Sequence, residues 1–283
     1  MKKIIAAAVA AAFVAPAFAA DVTLSGGADW YYKDANGTTE SGLDSDAFTI
    51  KASTETANGI SASLDFSLTS QGGDDGGPSI TLSGPFGTFD LGDTSGATDA
   101  FDDRTDVDVV VGGVGTAGDD AGMSWKLPAL AEGLTVIISH SADSTGESDA
   151  TNAGNGFGVS YTTGPVNVAY ATNDYETNTS DETYIGATVT FGGLKVSAER
   201  LEVGVSGAES SEKGIGLSYG MGDLTFSLVN NEIKNTSGTV TSDNTFVGVK
   251  YDLGGGVTAF VENLSDAKTA TDAVTAAGVT VKF

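Results

Sequence analysis

The sequence predicts an all-β fold, a transmembrane antiparallel β-barrel of about 16 strands. Three observations support this fold class. Apolar and polar residues alternate along most of the chain, the connections between these stretches are short and long in turn, and the chain ends on an aromatic residue, Phe283, that closes an amphipathic stretch. Because successive side chains of a strand point to opposite faces, alternation with period two gives each strand one apolar and one polar face.

The clearest predicted strand runs from Ile60 to Thr69, where every even position is apolar and every odd position is polar. No helix accommodates that pattern. The stretch from Leu134 to Ser141 alternates less regularly. In chain order, the predicted strands are centred on residues 22–32, 48–52, 60–69, 80–82, 89–91, 123–127, 134–141, 157–161, 166–170, 185–191, 194–198, 215–219, 224–228, 247–251, 257–261 and 277–283.

The connections alternate in length, as expected when a chain is threaded through a membrane barrel with short turns on one side and long polar loops on the other. The short turns are predicted at residues 57–59, 84–87, 162–165, 192–193, 220–223 and 252–256. The long loops are predicted at 33–45, 70–78, 94–120, 142–155, 174–181, 204–212, 231–243 and 264–273. If the C-terminus at Phe283 is periplasmic, the long loops face the cell exterior.

The start of the chain predicts export to the outer membrane. Lys2 and Lys3 precede an apolar stretch that leads to an Ala17-Phe18-Ala19 cleavage site, so residues 1–19 are predicted to be a removed signal peptide and residues 20–283 the barrel domain. Of the 13 basic residues, two lie in the signal peptide, which leaves 11 against 38 acidic residues. Such an acidic chain argues against nucleic acid as a partner and favours cations.

Other protein classes fit the sequence less well. A soluble β-sandwich or a secreted β-solenoid also alternates, but here the apolar face carries almost no charge and the opposite face is rich in Ser, Thr, Asn and Gly, which would make a poor core. An enzyme is not predicted, and we expect no catalytic residue. His140 is the only histidine, expected at the exposed end of a strand, and no nucleophile elbow or phosphate-binding loop is present.

The longest loop, residues 94–120, is the candidate functional segment. A loop in water has no need for the apolar run Val109-Val110-Val111, so we expect these valines to seat the loop against the inner wall while its aspartates project into the pore. Rings of acidic residues favour cations in channels. The alternative is that the aspartates only solvate an exposed loop. The predicted constriction residues are Asp99, Asp102, Asp103, Arg104, Asp106, Asp108, Asp119 and Asp120.

Two further sets of side chains complete the predicted pore. By strand parity, Lys51, Lys126 and Lys195 face the lumen and lie near its mid-height. No cofactor is required, but Asp102, Asp103, Asp106 and Asp108 could supply the hard oxygen ligands that Ca²⁺ prefers. Their spacing matches no EF-hand, and mutual repulsion is the alternative.

The segment Pro85 to Ala97, PFGTFDLGDTSGA, resembles the porin signature of a strand that leads into the third external loop. The chain is similar to the sixteen-stranded porins of α-proteobacteria in its Gly-, Ala- and Asp-rich composition. The resemblance implies a homotrimer, a third loop folded into the lumen as a constriction, and passive diffusion of small hydrophilic solutes and ions. Family members often carry a denser arginine cluster, whereas this chain has only Arg104 and Arg200.

The predicted function is therefore an outer-membrane diffusion channel that prefers cations. A structural, adhesive or phage-receptor barrel with a plugged lumen, or a substrate-selective channel, is the alternative. The acidic external loops also predict contact with outer-membrane lipid and with lipopolysaccharide through divalent ions. The C-terminal strand ending at Phe283 predicts recognition by the barrel-assembly machinery.

Overall fold

A computed structural model describes residues 21–44, 48–68, 78–102, 104–111, 120–141, 153–175, 181–205, 208–268 and 273–283. The predicted signal peptide lies outside this part of the chain. The strands are β1 (Asp21–Ser25), β2 (Gly27–Ala35), β3 (Thr38–Asp44), β4 (Phe48–Glu55), β5 (Ser61–Leu68), β6 (Ser79–Gly84), β7 (Gly87–Ser95), β8 (Asp120–Lys126), β9 (Leu134–Ser141), β10 (Gly154–Thr163), β11 (Val166–Tyr175), β12 (Glu182–Phe191), β13 (Leu194–Val205), β14 (Ala208–Met221), β15 (Leu224–Lys234), β16 (Val240–Gly254), β17 (Val257–Asp266) and β18 (Val274–Lys282).

These strands form one antiparallel sheet whose last strand pairs with the start of the chain, since β18 pairs with β2 over Val274–Lys282. Strand β1 runs into β2 past Gly26, whose N–H and C=O both bond to Phe283. Along this combined strand β2 pairs with β3 and β1 pairs with β4. When β1 with β2 and β3 with β4 each count as one strand, the 18 described strands occupy about 16 positions. Each position has two hydrogen-bonded neighbours, as a closed barrel requires, because β9 pairs with β10 and β18 pairs with β2. The predicted fold class is confirmed.

The two faces of the sheet are the reverse of those in a soluble protein. In β12, Ile185 points outward and is 58% exposed, whereas the adjacent Tyr184 points inward and is 0% exposed. The outward apolar faces predicted for the strands recur as exposed Leu, Val, Ile, Tyr and Phe side chains, while the interior holds buried Ser, Asn and Glu. An apolar exterior is stable in lipid because the closed sheet also satisfies its backbone hydrogen bonds internally. Within the described residues, no helix is long and apolar enough to cross a membrane.

The short turns lie together at one end of the sheet, as predicted. The turn at 84–87 shows why its sequence is restrictive. Gly87 has φ 95°, and a Cβ there would lie 2.2 Å from the carbonyl oxygen of Lys126, so a larger residue does not fit. The Trp125 indole donates a hydrogen bond to the Phe86 carbonyl at 2.9 Å and stacks on Phe89 at 5.0 Å.

Three predicted long loops are wrong in extent. The stretch 33–45 contains a tight hairpin at Asn36-Gly37, both at positive φ, between β2 and β3. Likewise, β13–β14 and β15–β16 extend as hairpins through much of 204–212 and 231–243. Beyond the apolar belt both faces of a strand meet water, so alternation disappears and the strand reads as a loop. Asn-Gly, a strong signal for a two-residue hairpin, was the missed indication. The other long connections lie partly outside the described residues.

Candidate functional site

The described part of the third long loop, residues 94–102 and 104–111, folds inward and crosses the inner face of nine consecutive strands, β9 to β17. We call this inner face the loop wall. Ala97, near the start of the loop, contacts Ser139 of β9, and Val109, farther along the loop, contacts Glu262 of β17. The inward fold predicted for this loop is confirmed, and the loop divides the lumen into a covered side and an uncovered side.

The first anchor of the loop is a helical turn that ends in a buried phenylalanine. The N–H groups of Ala100, Phe101 and Asp102 bond back to Gly96 and Thr98. Phe101 is 8% exposed and lies in a cluster of inward-facing side chains from β9, β11, β12 and β13. This cluster consists of Ile137, Ala169, Ala171, Tyr184 and Leu201.

Inward-facing glycines make room for the loop. A Cβ at Gly158 would lie 2.4 Å from the Phe101 ring, and one at Gly214 would lie 2.3 Å from the Thr105 hydroxyl. At Gly186 it would lie 2.5 Å from Arg104 Nε. A side chain at any of these positions would require the loop or its side chains to shift, so the glycines form a shallow trough beneath the loop.

The second anchor is apolar and lies farther along the loop. Val107 and Val111 pack against a cluster of Val229, Phe246 and Leu264, which point inward from β15, β16 and β17. The Lys250 ammonium donates to the Asp108 carbonyl at 3.5 Å. Of the predicted run Val109-Val110-Val111, Val111 packs in this cluster together with Val107, whereas the contacts seen for Val109 and Val110 are made by their backbone N–H groups.

Three inward-facing glutamates of the loop wall accept hydrogen bonds from the loop. Glu199 accepts from the N–H groups of Arg104 at 3.0 Å and Thr105 at 2.9 Å, and from the Thr105 hydroxyl. Glu182 accepts from the Thr98 hydroxyl and from Asn173 at 2.7 Å. Each glutamate is at most 5% exposed. Carboxylates bonded by several N–H and O–H donors give stronger hydrogen bonds than neutral acceptors.

Glu262 makes the most concentrated of these contacts. Its Oε2 accepts from the Val109 N–H at 2.9 Å, and its Oε1 accepts from Val110 at 2.7 Å and from Val111 at 3.0 Å. One side chain therefore satisfies three consecutive backbone N–H groups. The loop needs such a partner because a buried N–H without an acceptor is costly.

Arg104 is turned into the wall and away from the uncovered side. Its Nε donates to the Tyr184 hydroxyl at 2.8 Å, and one terminal nitrogen donates to Asn167 at 2.6 Å and Thr188 at 3.2 Å. The Tyr184 hydroxyl donates in turn to Glu199 at 3.0 Å. The guanidinium thus acts as a strut that fixes the loop to β11 and β12.

The predicted constriction aspartates do not share one environment. Asp102 is buried, Asp99 is half-buried, and Asp106 is exposed. Asp108 is half-buried beside the second anchor. Asp103 and Asp119 lie outside the described residues, and Asp120 is the first residue of β8. Among the described residues, no group of three or more His, Asp or Glu side chains is arranged to hold a metal ion.

The predicted lumen lysines lie at different heights. Lys51 is exposed in the middle of β4, where it pairs in register with Asp65 of β5. Lys126 is the last residue of β8, at the short-turn end rather than at mid-height. Lys195 is the second residue of β13, next to the turn, and lines a small cavity with Arg104, Thr105 and Val107 of the loop. His140, as predicted, is exposed near the end of β9, with Nδ1 3.1 Å from Asn155 Oδ1.

The inner face of β4 to β8, which we call the open wall, differs from the loop wall. Most of its inward side chains are partly exposed or exposed, with Ser124 of β8 buried at 6%, whereas most inward side chains of the loop wall are buried. Its hydroxyls and carboxylates bond to one another across strands, as between Thr81 and Asp90 at 2.6 Å and between Ser79 and Asp65 at 2.7 Å. The open wall is therefore polar and faces water beside the loop.

Sequence reasoning missed the three glutamates and the glycine trough. Strand parity places Glu182, Glu199 and Glu262 on the inner face, where most neighbours are Ser, Thr, Asn or Gly. A glutamate at such a position on three strands was an available signal. Which loop atoms it would meet depends on how the loop crosses the barrel, and no local pattern encodes that path.

This arrangement is similar to that of known proteins. A family model described as Gram-negative porin matches residues 6–268. A porin structure refined at 1.8 Å resolution is similar with a TM-score of 0.75 at 20% identity, and two engineered variants of the Rh. blastica porin are similar with TM-scores of 0.68 at 16% identity. Each match covers 93% of this chain and 100% of the other chain. No curated protein matches in sequence. The chain belongs to the Gram-negative porin family and is an outer-membrane porin.

Proposed function

We propose that this porin is a non-specific diffusion channel for small hydrophilic solutes and ions, and that it prefers cations. One observation carries the proposal. The third loop is bound to the loop wall by Phe101, Arg104 and Val107–Val111, while the inward side chains of the open wall stay accessible. A loop that covers one wall leaves a water-filled passage along the other.

The charges around this passage support cation preference. Arg104, the loop's only base, is bound into the wall by Tyr184, Asn167 and Thr188 and adds little positive charge to the passage. Asp106 is exposed and Asp99 is half-buried. Lys51 is an exposed base on the opposite wall. With 38 acidic residues in the chain, the field in the passage is expected to be negative.

The test is conductance of the purified protein in a planar bilayer under a salt gradient. We expect ohmic steps and a reversal potential of the cation-selective sign. High salt should weaken the preference, since the screening length falls from about 8 Å near physiological ionic strength to about 3 Å at 1 M. An anion-selective reversal potential would contradict the electrostatic part, and no conductance would contradict the channel.

The competing functions predict other outcomes in the same experiment. A plugged structural, adhesive or phage-receptor barrel gives no steps. A substrate-selective channel gives steps that one solute blocks at low concentration, with saturation. The open wall carries hydroxyls paired with one another, as between Thr49 and Ser67 at 2.9 Å, and this self-satisfied surface favours passage over tight binding.

The remaining partners follow from the exterior of the barrel. We propose a homotrimer, checked by an oligomer that resists dodecyl sulfate until heated. We also propose that residues 1–19 are removed on export, checked by the mass of the mature chain.

On the outer face, Lys213 and Lys234 both pair with Glu232, at 3.2 Å and 3.1 Å. Charged side chains at this height suit the headgroup region of lipopolysaccharide, and chelation of divalent ions should weaken that contact.

A further inference from the structure

We propose that Glu262 is a positioning residue that holds the Val109–Val111 stretch of the third loop on the loop wall and thereby sets the width of the passage. The inference deepens the proposed channel function and rests on it. It starts from one geometric fact, the convergence of the N–H groups of Val109, Val110 and Val111 on a single carboxylate at 2.9, 2.7 and 3.0 Å.

Neither water nor another side chain readily replaces the Glu262 carboxylate as the acceptor for these three N–H groups. The residue is 2% exposed, so water does not readily take over the three N–H groups if the carboxylate is lost. Successive backbone N–H groups that point to one spot form a concave anion site, and here the protein's own side chain fills it. A glutamine keeps the shape but replaces one oxygen with an NH₂ donor, which would face one of the loop N–H groups.

We call the hydrogen bonds from Val109, Val110 and Val111 to the Glu262 carboxylate the clasp. The clasp is distinct from the charges that act on ions. Its carboxylate lies between the barrel wall and the loop, whereas the exposed Asp106 lies on the loop itself. Other contacts of the second anchor include the apolar packing of Val107 and Val111 and the long Lys250 contact at 3.5 Å. We therefore infer two functional classes of carboxylate, one that holds the loop and one that sets ion preference.

The experiment compares Glu262→Ala and Glu262→Gln with wild type in planar bilayers. We expect Glu262→Ala to raise the occupancy of reduced-conductance states at least about tenfold, since the loop moves into the passage when it is not held. The Gln variant should be intermediate because its carbonyl oxygen can still accept from Val110 and Val111. Added sodium formate should reduce the closures of the Ala variant, since formate can fill the vacated anion site, while sodium chloride at equal ionic strength should not.

Two controls separate this role from general damage. Glu202→Ala removes an outward-facing glutamate from β13, paired with Arg200, and should not raise closures. Asp106→Asn should shift the reversal potential without adding closures. Glu262→Ala should add closures without shifting the reversal potential. Retention of the dodecyl-sulfate-resistant, heat-modifiable form shows that each variant is folded.

A second readout does not depend on conduction. The chain has no cysteine, so Asp106→Cys provides a unique label site on the loop. A probe there should become more mobile when Glu262 is replaced by Ala, and formate should reverse the change. Equal closures and equal probe mobility in wild type and Glu262→Ala would overturn the clasp. A wild-type protein without conductance, but with formate-reversible probe mobility in the variant, would refute the channel and keep the clasp.

Discussion

Replacing Phe101 by alanine should loosen the third loop without unfolding the barrel. Phe101 is 8% exposed and fills the space above Gly158, against Ile137, Tyr184 and Leu201. Its backbone N–H bonds to Thr98 within the loop and takes no part in the strand ladder. The energetic cost of the substitution therefore falls on the docking of the loop.

The size of the effect follows from the burial of the ring. Truncation of a buried phenylalanine to alanine costs about 3–5 kcal/mol in well-packed interiors. If about 3 kcal/mol is lost from loop docking, the population of undocked loop rises by about a hundredfold, since every 1.4 kcal/mol is a factor of ten. The Arg104 and Glu199 contacts remain and keep the docked state dominant.

The assay is single-channel recording, with thermal unfolding in detergent followed in parallel. The matched control is Phe157→Ala, a phenylalanine on the outer face of β10 that is 46% exposed. We expect frequent closures for Phe101→Ala and an unchanged record for Phe157→Ala, with little change in the melting temperature of Phe101→Ala. The reasoning is refuted if the Phe101→Ala recordings match those of wild type. It is also refuted if the melting temperature of Phe101→Ala falls as much as expected for a core substitution in a globular protein.

Further predictions concern charge, packing, metal and assembly. Asp106→Asn should move the reversal potential towards anions, whereas Arg104→Gln should mainly increase closures, and bilayer recordings of both variants test this contrast. Gly158→Ala should increase closures because its Cβ would lie 2.4 Å from the Phe101 ring; an unchanged record would show that the ring can move aside. A calcium site at the loop aspartates stays a prediction, and a calcium-specific change in conductance that a chelator reverses would support it. Deletion of Phe283, which is 73% exposed, should reduce the amount of assembled barrel in outer-membrane fractions. Normal assembly would contradict the prediction that the barrel-assembly machinery recognises the strand ending at Phe283.

The fold could be predicted from the chain because lipid imposes a local rule on each strand. Ile60 to Thr69 shows its outward face without reference to any other strand, and the outward Leu64 and Phe66 are exposed in the structure. The rule ends where the membrane ends. Strand β3 and the extensions of β13 to β16 have water on both faces, so they carried no alternation and were predicted as loops.

The candidate site was predicted only in part. The valine run indicated a docked loop, because apolar residues in a long polar loop require a surface to cover. The partners of that loop come from strands far along the chain, with about 150 residues between Val110 and Glu262. The different burial of Asp99 and Asp102 also depends on the helical turn that ends at Phe101, which a count of acidic residues does not reveal.

By itself the sequence determined an exported, acidic, lipid-facing barrel with a long third loop, because strand alternation, turn glycines and net charge are local or summed properties. The tertiary structure alone decided that this loop lies on one wall, that Arg104 and three glutamates hold it there, and that the opposite wall faces water. These contacts form only when nine strands are placed side by side. The physical reason is that lipid contact acts on each strand separately, whereas the passage is shaped by side chains brought together only when the barrel forms.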